Sequence, residues 1–123
     1  MYSTQLLDHF QNPRNAGVLA NADAVAQCEN PVCGDVLKLA AKIADGRIDE
    51  IRFQAKGCVP AMACGSALTE LVGGRSVTEA KLIGKHDIIG LLGELPPASG
   101  HAADLAVVTL DALLAQLSSA VPR

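Results

Sequence analysis

Val36-Leu-Lys-Leu-Ala-Ala-Lys-Ile-Ala-Asp-Gly-Arg-Ile-Asp-Glu-Ile-Arg-Phe-Gln-Ala55 is the stretch on which the fold turns. Leu37, Leu39, Ala41 and Ile43 fall on one side of an extended chain and Lys38 and Lys42 on the other, the two-residue period of a half-buried strand. Asp45-Gly46 is a favourable two-residue turn, and beyond it Ile51, Phe53 and Ala55 alternate with Glu50, Arg52 and Gln54. The stretch predicts an antiparallel hairpin. The segment before Cys28 supplies a candidate third strand.

On the amino-terminal side, Leu6, Leu7 and Phe10 recur at helical spacing until Asn12-Pro13 stops the helix. On the carboxyl-terminal side, the period changes after Pro60. Leu68, Leu71 and Val72 follow helical spacing, with Gly73-Gly74 as the stop. Ser76-Val-Thr-Glu79 has the form of a capping box and starts another short helix. Pro96-Pro97 marks a loop, after which Ala106, Leu110, Leu113, Leu114 and Leu117 line one face of a closing helix. Strands first and helices after predict an α+β fold, a small three-stranded antiparallel sheet with helices packed on one face. Residues 1–123 make a single domain on this reading, because a chain of 123 residues buries about two thirds of its surface around one core.

Composition narrows the function. Aromatic residues make up 2% of the chain, so stacking platforms for bases are almost absent, and a net charge of −3 offers no general attraction to phosphate or anionic lipid. No nucleic acid and no membrane are expected as partners. The first ten residues lack the basic flank and apolar run of a secretory signal, so a cytoplasmic location is expected. In a reducing compartment, four cysteines point to metal ligands, reactive thiols or small buried residues rather than to disulfides.

Cys33-Gly34-Asp35 presents a thiol and a carboxylate where a loop enters the first strand of the hairpin. Gly57-Cys58 ends its second strand just before a helix, whose positive end is expected to favour the thiolate. Because the strands are antiparallel, Cys33 and Cys58 are expected to meet at one end of the sheet. Two thiols with a carboxylate suit zinc or iron, and His101, near the start of the closing helix, could add an imidazole. Cys64 lies about 600° around an ideal helix from Cys58 and points elsewhere, which suggests a structural role. Cys28 is close enough to share the site if the chain folds back. His9 and His86, flanked by charged neighbours, are read as solvated.

These motifs together resemble the iron-sulfur cluster assembly scaffolds, the IscU proteins and the amino-terminal domain of NifU. The resemblance covers Tyr2-Ser3 to Asn15, Asn30-Pro31-Val32-Cys33-Gly34-Asp35, Gly57-Cys58, Thr69-Glu70-Leu71-Val72 and Leu95-Pro96-Pro97. It implies a scaffold and not an enzyme, binding a transient [2Fe-2S] cluster, or zinc in the isolated protein, through Cys33, Asp35, Cys58 and His101. It also implies a cysteine desulfurase as sulfur donor, recipient apo iron-sulfur proteins, and an Hsp70-type chaperone reading the loop after Pro96-Pro97.

Two positions depart from the family pattern. Ala102 stands where the family has a cysteine after the histidine, and Ala98-Ser99-Gly100 where a basic residue is usual. Cys28 and Cys64 stand where no family ligand is expected, and either could replace the missing thiolate. Three readings are therefore carried forward: a scaffold for a labile cluster, a zinc-bound persulfide acceptor, and a degenerate paralogue acting only through partner binding.

Overall fold

A computed structural model of the chain describes residues 2–120, with side chains through residue 117. The hairpin forms as read. Strands β1 (Ala24–Glu29), β2 (Val36–Ala44) and β3 (Arg47–Lys56) make one antiparallel sheet in the order β1-β2-β3. Asp45 and Gly46 both hold positive φ, 52° and 75°, the left-handed pair that a two-residue turn between Ala44 and Arg47 requires. A bulge follows, since Ile43 faces Ile48 but Lys42 faces Glu50. The extra residue shifts the side-chain parity by one, so Ile48 reaches the core together with Ile51 and Phe53.

The inner face of the sheet is covered by α2 (Val59–Val72) and α5 (Gly100–Ala120), with α1 (Thr4–Gln11) and α4 (Lys85–Leu91) packed against α2. Helix α2 carries no basic residue and only Glu70 as an acid, and it is buried from Pro60 to Thr69 at every position but Met62. It is a central helix, buried on nearly all sides. It comes close to the sheet at Gly65, where an added Cβ would lie 2.8 Å from the Phe53 ring. Helix α5 is long and apolar enough to cross a membrane by length and composition alone. Here Ala103, Ala106, Leu110 and Leu113 are fully buried on the sheet and on α2, which makes it the core helix of a packed domain.

The short helix α3 (Val77–Ala80) carries the expected capping box. The Ser76 hydroxyl accepts from the Glu79 N–H at 3.0 Å, and the Glu79 carboxylate accepts from the Ser76 N–H at 2.9 Å. Helix α4, which follows it, has no counterpart in the periodicity reading. Its seven residues hold only Ile88 fully buried, too short a stretch to show a period.

The amino-terminal helix corrects two readings. Its buried face is Leu6 and His9, while Leu7 is 37% exposed. His9, read as solvated, is 4% exposed, whereas His86 is exposed as expected. The reason is local. Asp8 turns outward to bind Arg14, at 2.6 Å, and leaves His9 facing α2.

The two edges of the sheet are treated differently. The β3 edge is closed by Asn15–Gly17, which exchanges hydrogen bonds with Phe53, and by Gly74–Val77, which bonds to Gly46 and Ile48. Among the described residues, the β1 edge is met only by the Gln116 side chain of α5, whose amide donates to the Val25 carbonyl at 2.6 Å and accepts from the Val25 N–H at 3.3 Å.

Candidate metal centre

Three segments converge at the end of the sheet away from the Asp45-Gly46 turn. The β1–β2 loop is held by the Asn30 N–H on the Asp35 carbonyl (2.8 Å), the Gly34 N–H on the Asn30 carbonyl (2.8 Å) and the Val32 N–H on the Asn30 side chain (2.9 Å). Gly34 takes a left-handed φ of 76°, which swings the chain back so that Asp35 points inward while Cys33 stays exposed. The second segment is Gly57-Cys58, where β3 ends and Cys58 takes the N-cap position of α2. The third is His101, in the first turn of α5.

Asp35 is the hub. Its carboxylate is 4% exposed, yet it accepts from the Cys58 N–H at 3.3 Å and from the Cys58 thiol at 3.2 Å, and it lies 4.0 Å from His101 Nε2. Cys33 Sγ, an Asp35 oxygen and a His101 ring nitrogen all lie within 4.8 Å of one another. Cys58 joins this group through Asp35. Neither Cys28 nor Cys64 belongs to it. Cys28 faces the helices from β1, half-buried and lining a groove shared with His101, and Cys64 is sealed inside α2. Ala102 is 2% exposed and packs into the core.

Gly57 is what makes room for the hub. It holds a φ of 144°, and a Cβ there would lie 2.1 Å from Asp35 Oδ1. Sequence reading singled out Cys58 and passed over this neighbour. The available signal was a glycine at the end of a strand, the mark of a close backbone approach.

The electrostatics differ from expectation at Cys58. Its thiol is held above the ordinary cysteine range, first by loss of hydration and then by the adjacent Asp35 charge, and the Ala61 N–H of the helix start only partly offsets them. The helix end therefore does not make Cys58 a free thiolate. Asp35 goes the other way. Burial alone would raise it, but hydrogen bonds from the Cys58 and Cys33 thiols and the Cys58 N–H, with His101 nearby, hold it below the usual carboxylate range. Burial pushes the Cys64 thiol up to about 12, so it stays a neutral packing group.

Two sulfurs, a carboxylate oxygen and an imidazole nitrogen form a donor set of mixed softness. It suits a borderline ion such as zinc, or iron in a sulfide-bridged pair, and both the exposed cysteines and the partly exposed His101 can be reached from solvent.

Known proteins share the sequence pattern and the fold of this chain. Residues 1–120 match the family model of the NifU-like N-terminal domain. The iron-sulfur cluster assembly scaffold protein IscU 1 of Archaeoglobus fulgidus is 43% identical over 110 residues, covering 89% of this chain and 72% of that protein. The IscU scaffold of Escherichia coli K12 is 41% identical over 122 residues, covering 96% of this chain and 94% of its own. Among solved structures, the amino-terminal part of a NifU-like protein from Brucella abortus superposes with a TM-score of 0.77 at 18% identity, covering 97% of this chain and 95% of that one.

Proposed function

Because this chain belongs to the family of NifU-like N-terminal domains, we propose that it is an iron-sulfur cluster assembly scaffold whose cargo is held by Cys33, Asp35, Cys58 and His101. The observation that carries this reading is the convergence on Asp35 of one reachable imidazole and two reachable thiols, from three separate segments, at one end of the sheet. The cargo is a transient [2Fe-2S] cluster, and zinc fits the same donors in its absence.

Two donors other than thiolate among the four favour release over retention, since thiolates hold iron-sulfur clusters most strongly. A carrier that must give up its cargo benefits from that weakness. The chain's own part is to keep Asp35 ionised and aimed, through the Cys58 N–H and the space left by Gly57, and to give up the proton on the Cys58 sulfur when metal arrives. A cysteine desulfurase as sulfur source and apo iron-sulfur proteins as recipients follow from this role. A chaperone of the Hsp70 type would meet the exposed Pro97–Ser99 turn, which here offers no basic side chain.

The test is anaerobic reconstitution with ferrous iron, cysteine and a desulfurase, followed by iron and acid-labile sulfide analysis. The expected result is near-stoichiometric iron and sulfide in the parent chain, and loss of both in Cys33→Ser and in Cys58→Ser. Zinc without sulfide would turn the reading toward a zinc-bound persulfide acceptor. Equal loading in the Cys33→Ser/Cys58→Ser double variant would overturn the assignment of the site.

A further inference from the structure

The β1 edge carries unused hydrogen-bonding capacity directly beside the metal centre. In β1, Val25 turns its N–H and C=O outward to Gln116, while Asn30 just beyond the strand pairs back onto Asp35. By the alternation of an antiparallel ladder, Gln27 and Glu29 also turn their backbone groups outward. Among the described residues nothing meets them. The Gln116 side chain, a primary amide, already occupies at Val25 the place that a peptide group of a neighbouring strand would take.

Alongside this free edge runs an open groove of about 290 Å³ between β1 and α5, lined by Cys28, Pro31, Leu105 and Val108, with Glu29 and Asp104 at its margins. Val108 is 55% exposed, a large apolar side chain with nothing over it. The groove ends at His101. Along α5, His101 to Val108 spans about 10 Å, the length of about three residues of extended chain. Asp104 is answered by Lys85 at 3.1 Å, but Glu29 has no cationic partner among the described residues.

We propose that this edge and groove form a docking site for an extended segment of a partner protein. The segment adds as a short strand to β1, sets an apolar side chain against Leu105 and Val108, and places a Lys or Arg at Glu29. Backbone pairing supplies the affinity and the groove the selectivity, as in strand addition generally. An incoming strand laid along β1 has one end at His101, so the partner's chain is delivered to the metal centre. The inference does not depend on which cargo that centre holds.

The test uses the full chain and the blocked pentapeptide acetyl-Lys-Val-Leu-Val-Lys-amide, followed by amide NMR and hydrogen exchange. At saturating peptide, the Gln27 and Glu29 amides should shift and exchange at least about tenfold more slowly. A peptide N-methylated at alternate residues keeps the side chains but cannot pair, and should not bind. Val108→Asp, at an exposed position that leaves the core intact, should weaken binding at least about tenfold, equivalent to about 1.4 kcal/mol. Equal binding of the N-methylated peptide, shifts confined to other surfaces, or no shift at millimolar peptide would each overturn the proposal.

Discussion

Two polar clusters meet α2, one at its amino-terminal end and one farther along it against α1, and they use nearly the same chemistry to opposite ends. At the metal centre, a buried carboxylate gathers two thiols and an imidazole that solvent can reach. At the α1 interface, Glu70, His9 and Ser66 line up in the order acid, imidazole, hydroxyl, with His9 Nε2 3.5 Å from Glu70 and His9 Nδ1 2.8 Å from Ser66 Oγ. A proton on Nε2 lets Nδ1 accept from the Ser66 hydroxyl, whose oxygen in turn accepts from the Arg14 N–H at 2.9 Å. Thr69 closes the set by donating to the Arg14 and Ser66 carbonyls and accepting from Asn15. The order resembles that of a hydrolytic triad, but Ser66 is fully buried, so nothing can be attacked. Access and unspent valence set the first cluster apart as the candidate site, while internal pairing makes the second a fastener.

The sharpest break in this contrast comes from Gly57→Ala. The new Cβ would overlap Asp35 Oδ1, and alanine is strained at a φ of 144°. A stability loss of about 3 kcal/mol is expected, with stoichiometric metal binding abolished, read by urea unfolding and zinc titration. Wild-type values in both would mean that Asp35 is not the hub. Next in size is Ser66→Ala, which strands the Arg14 N–H and the His9 ring. It should cost about 2 kcal/mol and leave metal stoichiometry unchanged in the folded protein, and a loss of metal without a loss of stability would erase the distinction between the clusters.

A pH titration sharpens the comparison further. Burial, then the Arg14 charge, hold His9 below the ordinary histidine value of 6.5, against the pull of Glu70 and Asp8. The neutral ring is favoured by folding, so this contribution is complete above pH 6.5 and is lost as pH falls through the lower folded value. The slope is at most about 1.4 kcal/mol per pH unit. Urea midpoints measured across that range should fall with acidity, and His9→Gln should flatten this part of the profile. An unchanged profile in the variant would assign the acid sensitivity elsewhere. The smallest effect is Ser76→Ala, which removes the hydroxyl half of the α3 capping box and should cost about 1 kcal/mol while leaving both clusters as they were. A change in metal binding there would show that the site is coupled to distant stability.

The two clusters were unequally legible in the sequence. That Cys33 and Cys58 come to the same end of the sheet, each bonded to Asp35, follows from strand direction and one turn, because Asp45-Gly46 is a local signal and antiparallel pairing carries it to the other end of the sheet. His101 needed a long helix to pack in one particular way, which its place near the start of that helix suggested only weakly and the family resemblance reinforced. His9 was misread because charged neighbours in sequence say little about which side of a helix faces the core. Its partners Ser66 and Glu70 lie more than fifty residues away. The bulge opposite Lys42 was equally hidden, since Ile48 reads as out of phase until one residue is set aside. At Cys58 the competing terms were all nameable in advance, but their balance required knowing how close Asp35 comes.

The unequal closure of the sheet has a consequence for symmetry. Among the described residues, segments at 15–17 and 74–77 pair with the β3 side at Phe53, Gly46 and Ile48, so the free edge on which two molecules would meet strand to strand is that of β1. Such a meeting uses the same surface twice and is related by a two-fold axis, giving a six-stranded sheet with β3 outermost at both ends. Growth stops there. A chain that must keep one strand available thus excludes open-ended polymers by topology, without needing charge repulsion to do so.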